Sequence, residues 1–472
     1  MFKRIMIANR GECAIRIIRS CRELGIEAVA IYTEADAQSL HVKKADQAIL
    51  IGPDPVKSYL NIHRIVDAAL KSGCDAIHPG YGFLSENSEF AARVTEAGLA
   101  YIGPSPDAIR DMGDKTKARE AMIAADIPVV PGSEGKLKDI DEAVPLAEGI
   151  GYPVMLKAAA GGGGRGIRRC DNEKELRENF VVTQREALAA FGDDAIFIEK
   201  CIVEPHHIEF QILADKHGNV VHLFERDCSI QRRNQKLIEI APSNYLTPEL
   251  REEMGQAAVR AAKAVDYVNA GTVEFLVDAD LNYYFMEMNT RLQVEHPITE
   301  AVTGIDIVTE QIRIAEGLPL EFSQKDIKLS GHAIEFRINA EDPKNNFLPT
   351  LGTITRYFSP GGMGIRVDGC VYPGYIIPPY YDSMCAKLTV WGSDWQHTVS
   401  RARRALNEYD IRGVRTTLPL YRHIAASEPF MSGIFHTGFL ESHPELLDYQ
   451  PYDRREDIAA AVATAIAVNA GL

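Results

Sequence analysis

Glu274 and Glu287 are the residues whose spacing speaks most directly of chemistry. If 271–278 and 282–289 form a hairpin turning at Asp280-Leu281, Glu274 faces Glu287 across the ladder, and Asn289 follows two residues along on the same face. Like charges opposite one another destabilise a ladder. At about 5 Å and an effective dielectric near 20, the repulsion is on the order of 3 kcal/mol. A divalent cation removes it, and two carboxylates with an amide oxygen suit Mg²⁺ bridging nucleotide phosphates. The alternative is an exposed acidic hairpin whose carboxylates splay into water. The segment Asn289-Thr290-Arg291-Leu292-Gln293-Val294-Glu295-His296-Pro297 follows at once, and Pro297 argues against a continuing strand. An arginine, an amide and a carboxylate are thus expected on a loop beside the metal.

A second constellation is Gly161–Gly166, four consecutive glycines and then Arg165-Gly166, with Lys157 on the preceding strand. The residues after it, Ile167–Cys170, have strand character, so the context is a hairpin loop and not a Rossmann turn. Backbone amides of such a loop can close over a polyphosphate. No GxxxxGK[ST] occurs, which excludes the P-loop fold. The polar run Gln231–Lys236 reads alone as a solvated surface. His206-His207 lacks metal-ligand spacing, so His207 is expected to hydrogen-bond.

These residues need elements to position them. Strand patterns at 4–8, 27–32 and 75–78 alternate with a helical one at 12–24, which predicts a parallel, doubly wound sheet. The turn after 75–78, His78-Pro79-Gly80-Tyr81-Gly82-Phe83, lies where such sheets bind ligands. Pro128, Pro131 and Gly132 mark a break, and beyond 190 come hairpin-like segments of an antiparallel α+β region. Gly331 opens a last unit in which Ile334, Phe336 and Ile338 alternate with Glu335, Arg337 and Asn339. One strand face is apolar and the other polar.

The chain of 472 residues suggests about three domains. Its net charge of −15 argues against nucleic acid as the main partner. The eight cysteines include no CxxC, so they read as reduced thiols of a cytoplasmic protein. The apolar run at 458–468 is too short to cross a bilayer, and no membrane partner is expected. The tail carries Ile458, Val462 and Ile466 at helical spacing, with Asp457 placed to cap it.

The order of the segments IANRGE, HPGYGFLSEN, MGDK, GGGGRG, ERDCSIQRR, EMNTRLQVEHP, RINAEDP and PPYYDSM resembles the biotin carboxylase family of ATP-grasp ligases, over residues 1 to about 445. The resemblance implies an α/β and α+β architecture. It has an N-terminal doubly wound pre-ATP-grasp domain (1–113), an ATP-grasp domain (114–330) with a mobile glycine-rich lid at about 131–203, and a C-terminal biotin carboxylase domain (331–446). The tail at 447–472 lies outside the resemblance; its thin aliphatic stripe is expected to dock a partner subunit, with a frayed terminus as the alternative.

The resemblance also implies roles. Lys115 and Lys157 hold ATP phosphates under the lid of Gly162, Gly163 and Gly164. Glu199, Lys200 and Ile202 lie along adenine, Leu276 lies beneath it, and His207 and Gln231 contact ribose and base. Glu274, Glu287 and Asn289 hold Mg²⁺ or Mn²⁺. Lys236, Arg291, Gln293 and Val294 cradle bicarbonate, an arginine fork suiting a planar anion. Glu295 removes the bicarbonate proton, Arg337 stabilises the biotin enolate, and Tyr81 and Asp382 line the biotin side. Bicarbonate would attack the γ-phosphate to give carboxyphosphate, whose CO₂ passes to biotin N1.

The sequence departs from the family's usual pattern in three places. Asn234 stands where the family usually has histidine. Four glycines replace the five of many acetyl-CoA carboxylase members, as in pyruvate-carboxylase-type members. Met363 replaces a frequent phenylalanine beside Arg19, Glu23 and Arg366, which match dimer contacts. The chain contains no Met-Lys dipeptide, the usual biotinylation signature, so the biotin must ride on another polypeptide. The reading is the biotin carboxylase component of a split pyruvate carboxylase, a homodimer that serves a biotinylated carrier and carboxyltransferase subunit. The acetyl-CoA carboxylase complex is the alternative.

Overall fold

The apolar runs near the N-terminus pair in parallel. In the computed structural model, which describes residues 1–133, 135–137, 139–158, 167–191, 194–449 and 454–470, β1 (Arg4–Ile7), β2 (Glu27–Thr33), β3 (Gln47–Gly52), β4 (Ala76–His78) and β5 (Ala100–Tyr101) form one sheet in the order β3-β2-β1-β4-β5. The order reverses between β1 and β4, which opens a crevice at their carboxyl ends. Helix α1 (Gly11–Glu23) starts in that crevice and buries Ile15, Ile17 and Ile18. Asn9 ties the two turns together, its Nδ2 donating to the carbonyls of Pro79 and Tyr81 at 2.8 Å each. Gly80, at φ +65°, is required there, because a Cβ would meet Cys13 Sγ at 2.4 Å.

A small antiparallel sheet follows, with β6 (Val154–Ala158) between β7 (Ile167–Cys170) and β8 (Ile196–Lys200). Lys157 pairs with Ile167, so the glycine run does join two antiparallel strands. Gly162, Gly163 and Gly164 themselves lie outside the described residues.

The largest sheet has eight strands. It runs β13 (Tyr283–Asn289), β12 (Asn269–Val277), β9 (His206–Ala214), β10 (Val220–Arg232), β11 (Gln235–Ala241), β14 (His332–Asn339), then Met384–Gly392 and Ile365–Gly369. β14 hydrogen-bonds to β11 as well as to Met384–Gly392, so the ladder continues across residue 330 without a break. Both faces of this sheet are covered. Ile334, Phe336 and Ile338 sit in the apolar core, and Glu335 on the opposite face is equally buried. The polar face expected of β14 is therefore a polar core and not a solvated surface.

Two further expectations change. The run Gln231–Lys236 is not a loose surface segment but the end of a hairpin. Arg233 and Asn234 form its two-residue loop with φ of +50° and +63°, the left-handed pair a type I′ turn requires and asparagine tolerates well. The tail helix spans Arg454–Asn469, which puts Asp457 inside its first turns and not at the cap. Its Val462 and Ile466 are exposed. Among the described residues no helix is long and apolar enough to cross a membrane.

Candidate functional site

Glu274 is the cross-strand partner of Glu287 as expected, and Thr272 pairs with Asn289, but the ladder is not regular: Val277, Leu276 and Phe275 pair with Tyr283, Tyr284 and Phe285, and a bulge between Phe275 and Glu274 shifts the register by one residue to bring the glutamates opposite. The neighbouring ladders extend this row. Glu274 pairs with Glu209 on β9, and Glu209 pairs with Arg226 on β10. Three carboxylates thus lie side by side across three strands, ended by a guanidinium.

Cations from other strands answer the crowding. Lys236 at the start of β11 donates to Glu209 Oε2 at 2.5 Å, Glu274 Oε1 at 3.0 Å and Glu295 Oε1 at 2.7 Å. Fully buried Arg226 donates to Glu209 Oε1 at 2.6 Å, Gln211 at 2.7 Å, Thr299 at 3.0 Å and Thr272 at 3.1 Å, and it also bonds Gln293. Arg337 bridges Glu239 Oε1 at 2.5 Å and Glu295 Oε2 at 3.0 Å. Glu295 is therefore held on one oxygen by Lys236 and on the other by Arg337.

The electrostatics follow. Burial raises the carboxyl of Glu295, but Lys236, Arg337 and Arg226 outweigh it and hold the group below the ordinary carboxylate range. Burial also works against Glu274, and Lys236 with His207 drives it well below. The facing carboxylates hold Lys236 firmly protonated despite its burial. Glu239 is pushed up to about 7 by burial against the pull of Arg337. Glu287, on the open side of the ladder, is raised by the protein around it and then by Glu274 opposite, with Lys115 pulling the other way. Glu274 and Glu287 face each other with Asn289 beside them, an oxygen donor set of the kind a hard divalent ion takes.

The remaining expected residues fall around this core. His207 Nε2 is 2.7 Å from Glu274 Oε2, and its Nδ1 lies 2.7 Å from Gln231 Nε2, so it is a hydrogen-bonding residue. His207, Glu209 and Glu274 bring donor atoms within 4.8 Å of one another, a grouping not expected from the sequence. The Lys236 ammonium already touches both of those glutamates. Asn289 Nδ2 donates to Glu274 Oε1 at 2.7 Å, and its Oδ1 accepts from Arg291 at 2.8 Å. Gln293 Nε2 donates to Glu274 at 2.6 Å. The Val294 carbonyl accepts from buried Lys387 at 2.7 Å, which fixes the loop just before Glu295. The loop ends sooner than expected, since Pro297 sits in the first turn of the helix His296–Thr303.

Lys115 opens the helix Lys115–Ala124. Lys157 pairs with Glu199, while Lys200 Nζ donates to the Gly151 carbonyl at 2.8 Å. Ile202 and Leu276 are half-buried. Tyr81 lies with its ring centroid 5.8 Å from Lys387 Nζ, and Asp382 accepts from the Met384 amide at 2.8 Å. Arg19 and Arg366 meet at Asp368, at 2.7 and 2.6 Å. Glu209, Arg226 and Glu239 were not foreseen. Glu209 alone carries a signal, the strict polar–apolar alternation of Ile208-Glu209-Phe210-Gln211-Ile212; Arg226, within Glu225-Arg226-Asp227, and Glu239, after Leu237-Ile238, do not.

Three family profiles match: the biotin carboxylase N-terminal domain over residues 1–109, the carbamoyl-phosphate synthase L chain ATP-binding domain over 114–323, and the biotin carboxylase C-terminal domain over 335–442. The chain belongs to the biotin carboxylase family. It is 55% identical to the 2-oxoglutarate carboxylase small subunit of Hydrogenobacter thermophilus over 472 residues, all of both chains. It is 55% identical to biotin carboxylase 1 of Bacillus subtilis over 445 residues, 94% of this chain and 99% of that one. The biotin carboxylase domain of the H. thermophilus 2-oxoglutarate carboxylase, solved as a dimer with MgADP, ADP and bicarbonate, superposes with a TM-score of 0.90 at 56% identity, covering 95% of this chain and 99% of the other. The solved biotin carboxylase subunit of a pyruvate carboxylase superposes with a TM-score of 0.86 at 57% identity, over 95% of this chain and 100% of the other. This biotin carboxylase thus has the three-domain architecture that its motifs imply.

Proposed function

We propose that this subunit carboxylates biotin borne on a separate carrier chain, using ATP and bicarbonate, as the first half-reaction of a split 2-oxo-acid carboxylase. The observation that carries the reading is Glu295 bridged between Lys236 and Arg337: a carboxylate held ionised, with a cation on each oxygen. Bicarbonate lies among Lys236, Arg291, Gln293 and Val294 and gives its proton to Glu295. Lys115, Lys157 and the glycine lid hold the ATP phosphates, while Glu199, Lys200, Ile202, Leu276, His207 and Gln231 hold the nucleoside. Mg²⁺ or Mn²⁺ on Glu274, Glu287 and Asn289 supplies neutralisation of the phosphate charge. Once bicarbonate engages Glu295, Arg337 is free to face the enolate oxygen of biotin beside Tyr81 and Asp382.

Pyruvate is the expected acceptor in the second half-reaction, a reading supported by the likeness to the biotin carboxylase subunit of a pyruvate carboxylase. The full-length match to a 2-oxoglutarate carboxylase small subunit favours 2-oxoglutarate as a second reading. Residues 1–113, 114–330 and 331–446 form the three domains, and the homodimer closes over Arg19, Glu23 and Arg366. The tail helix, whose Val462 and Ile466 find no cover, docks the carboxyltransferase and carrier subunit. Eight cysteines without a disulfide support a cytoplasmic setting.

The test is ATP cleavage with free biotin as acceptor. It should require both Mg²⁺ and bicarbonate, and turnover unchanged by removing bicarbonate would overturn the reading.

A further inference from the structure

The sheet face that carries Arg337 holds a further buried cation, Lys387. It lies on the strand Met384–Gly392 as the cross-strand partner of Arg337, and it is fully buried. Like charges opposite one another destabilise a ladder, and burying an ammonium adds to the cost. The two side chains answer this by reaching apart. Arg337 goes to Glu239 and Glu295, whereas Lys387 pairs with Glu12 Oε1 at 3.2 Å and donates to the Val294 carbonyl at 2.7 Å. Burial works against the ammonium, and Glu12, Glu335 and Asp368 hold it protonated.

We propose that Lys387 is a positioning residue for bicarbonate: it acts through the Val294 carbonyl to aim Glu295, with Glu12 as the counter-ion that lets an ammonium stand there. The inference rests on the function proposed above. A peptide unit is planar, so the Val294 carbonyl and the Glu295 amide turn together. A bond to that carbonyl therefore fixes the direction in which Glu295 leaves the backbone. The preceding carbonyl, that of Gln293, is held from within the segment, 2.7 Å from His296 Nδ1. Lys387 supplies the hold from outside it.

Three distant parts of the chain meet at this ammonium. Glu12 lies in the first turn of α1, Val294 on the loop after β13, and Lys387 on the strand beside β14. The acceptor of the bicarbonate proton and the guanidinium that faces biotin are thus set in one frame, Glu295 by way of Lys387 and Arg337 by the adjoining strand. A general base works only within hydrogen-bond reach of the proton it takes, so a loop free to turn at Val294 loses bicarbonate first.

The test measures ATP cleavage by the full chain with Mg²⁺, bicarbonate and free biotin, together with the thermal unfolding midpoint. Lys387→Met keeps the apolar stem and removes the ammonium. It should raise KM for bicarbonate about fivefold, the weight of one hydrogen bond, while KM for ATP stays within twofold. It also strands the Glu12 carboxylate in the core and should lower the midpoint. Adding Glu12→Gln removes that charge, so the midpoint should recover while KM for bicarbonate stays raised. An unchanged bicarbonate KM in either variant, or a KM that returns to the wild-type value along with the midpoint, would overturn the positioning role. Wild-type turnover indifferent to bicarbonate would instead overturn the underlying function.

Discussion

Arg226 is the cation on which the carboxylate row depends, although it does not touch the proposed substrates. Arg226→Met keeps the apolar stem and removes a guanidinium that makes five hydrogen bonds in a site without solvent. Glu209, fully buried, then keeps Lys236 as its only ion-pair partner among the described residues. Breaking a buried pair in this way costs about 3–5 kcal/mol. The orphaned amide oxygens of Gln211 and Gln293 add about 1–3 kcal/mol each, while the threonine hydroxyls can rotate to other partners. The total approaches the whole stability of an ordinary domain, about 5–15 kcal/mol. Both tryptophans, Trp391 and Trp395, lie in or beside the eight-stranded sheet, so urea unfolding followed by their fluorescence reports on it. The variant should unfold at a clearly lower midpoint. Adding Glu209→Gln should recover part of the loss, because the uncompensated charge is gone, with a coupling of roughly 1–3 kcal/mol. In the single variant Glu209 should also draw Lys236 away from Glu295 and raise KM for bicarbonate. A loss below about 1 kcal/mol, or strict additivity of the two substitutions, would refute the charge argument.

Glu295→Gln should abolish bicarbonate-dependent ATP cleavage, whereas Arg337→Ala should mainly lose biotin carboxylation, by about 2.7–4 kcal/mol if it acts as a single oxyanion donor; identical defects in both assays would contradict the separate roles. A carboxylate with a depressed folded value, such as Glu295, keeps its charge and the stability that charge brings above its unfolded value near 4.3, and loses both as pH falls through the lower folded one. Because Arg337 helps depress it, the acid limb of ATP cleavage in Arg337→Ala should move to higher pH, and an unmoved limb would show that Lys236 alone holds the charge. Deleting residues 458–472 should weaken co-purification of the carboxyltransferase and carrier subunit while activity on free biotin persists; intact partner binding would leave the tail helix without that role.

Glu274 opposite Glu287 was legible in the sequence only in part: the turn sets Val277 against Tyr283, a register that would place Glu274 opposite Met286, and a bulge between Phe275 and Glu274 brings the two glutamates together. The strand patterns on either side of the glycine run allowed it to be read as the link between two antiparallel strands. The segments that carry the family resemblance supplied the candidate residues by their order alone. What the sequence by itself left out is the polar core. Lys236 meets Glu295 across 59 positions of chain, and Arg337 meets Glu239 across 98. These contacts exist only because β9, β10, β11 and β14 lie side by side in one sheet, an order decided by how the whole chain packs. Alternation of polar and apolar residues ordinarily marks a strand with one wet face. Here β9 is buried along its whole length and Glu335 of β14 is equally buried, so much of the polar face meets charges from other strands, as Glu209 meets Arg226 and Lys236. Asn234 tells the same story on a smaller scale: as a departure from a motif it had no explanation, and the backbone supplies one, a left-handed turn position that asparagine occupies at little cost.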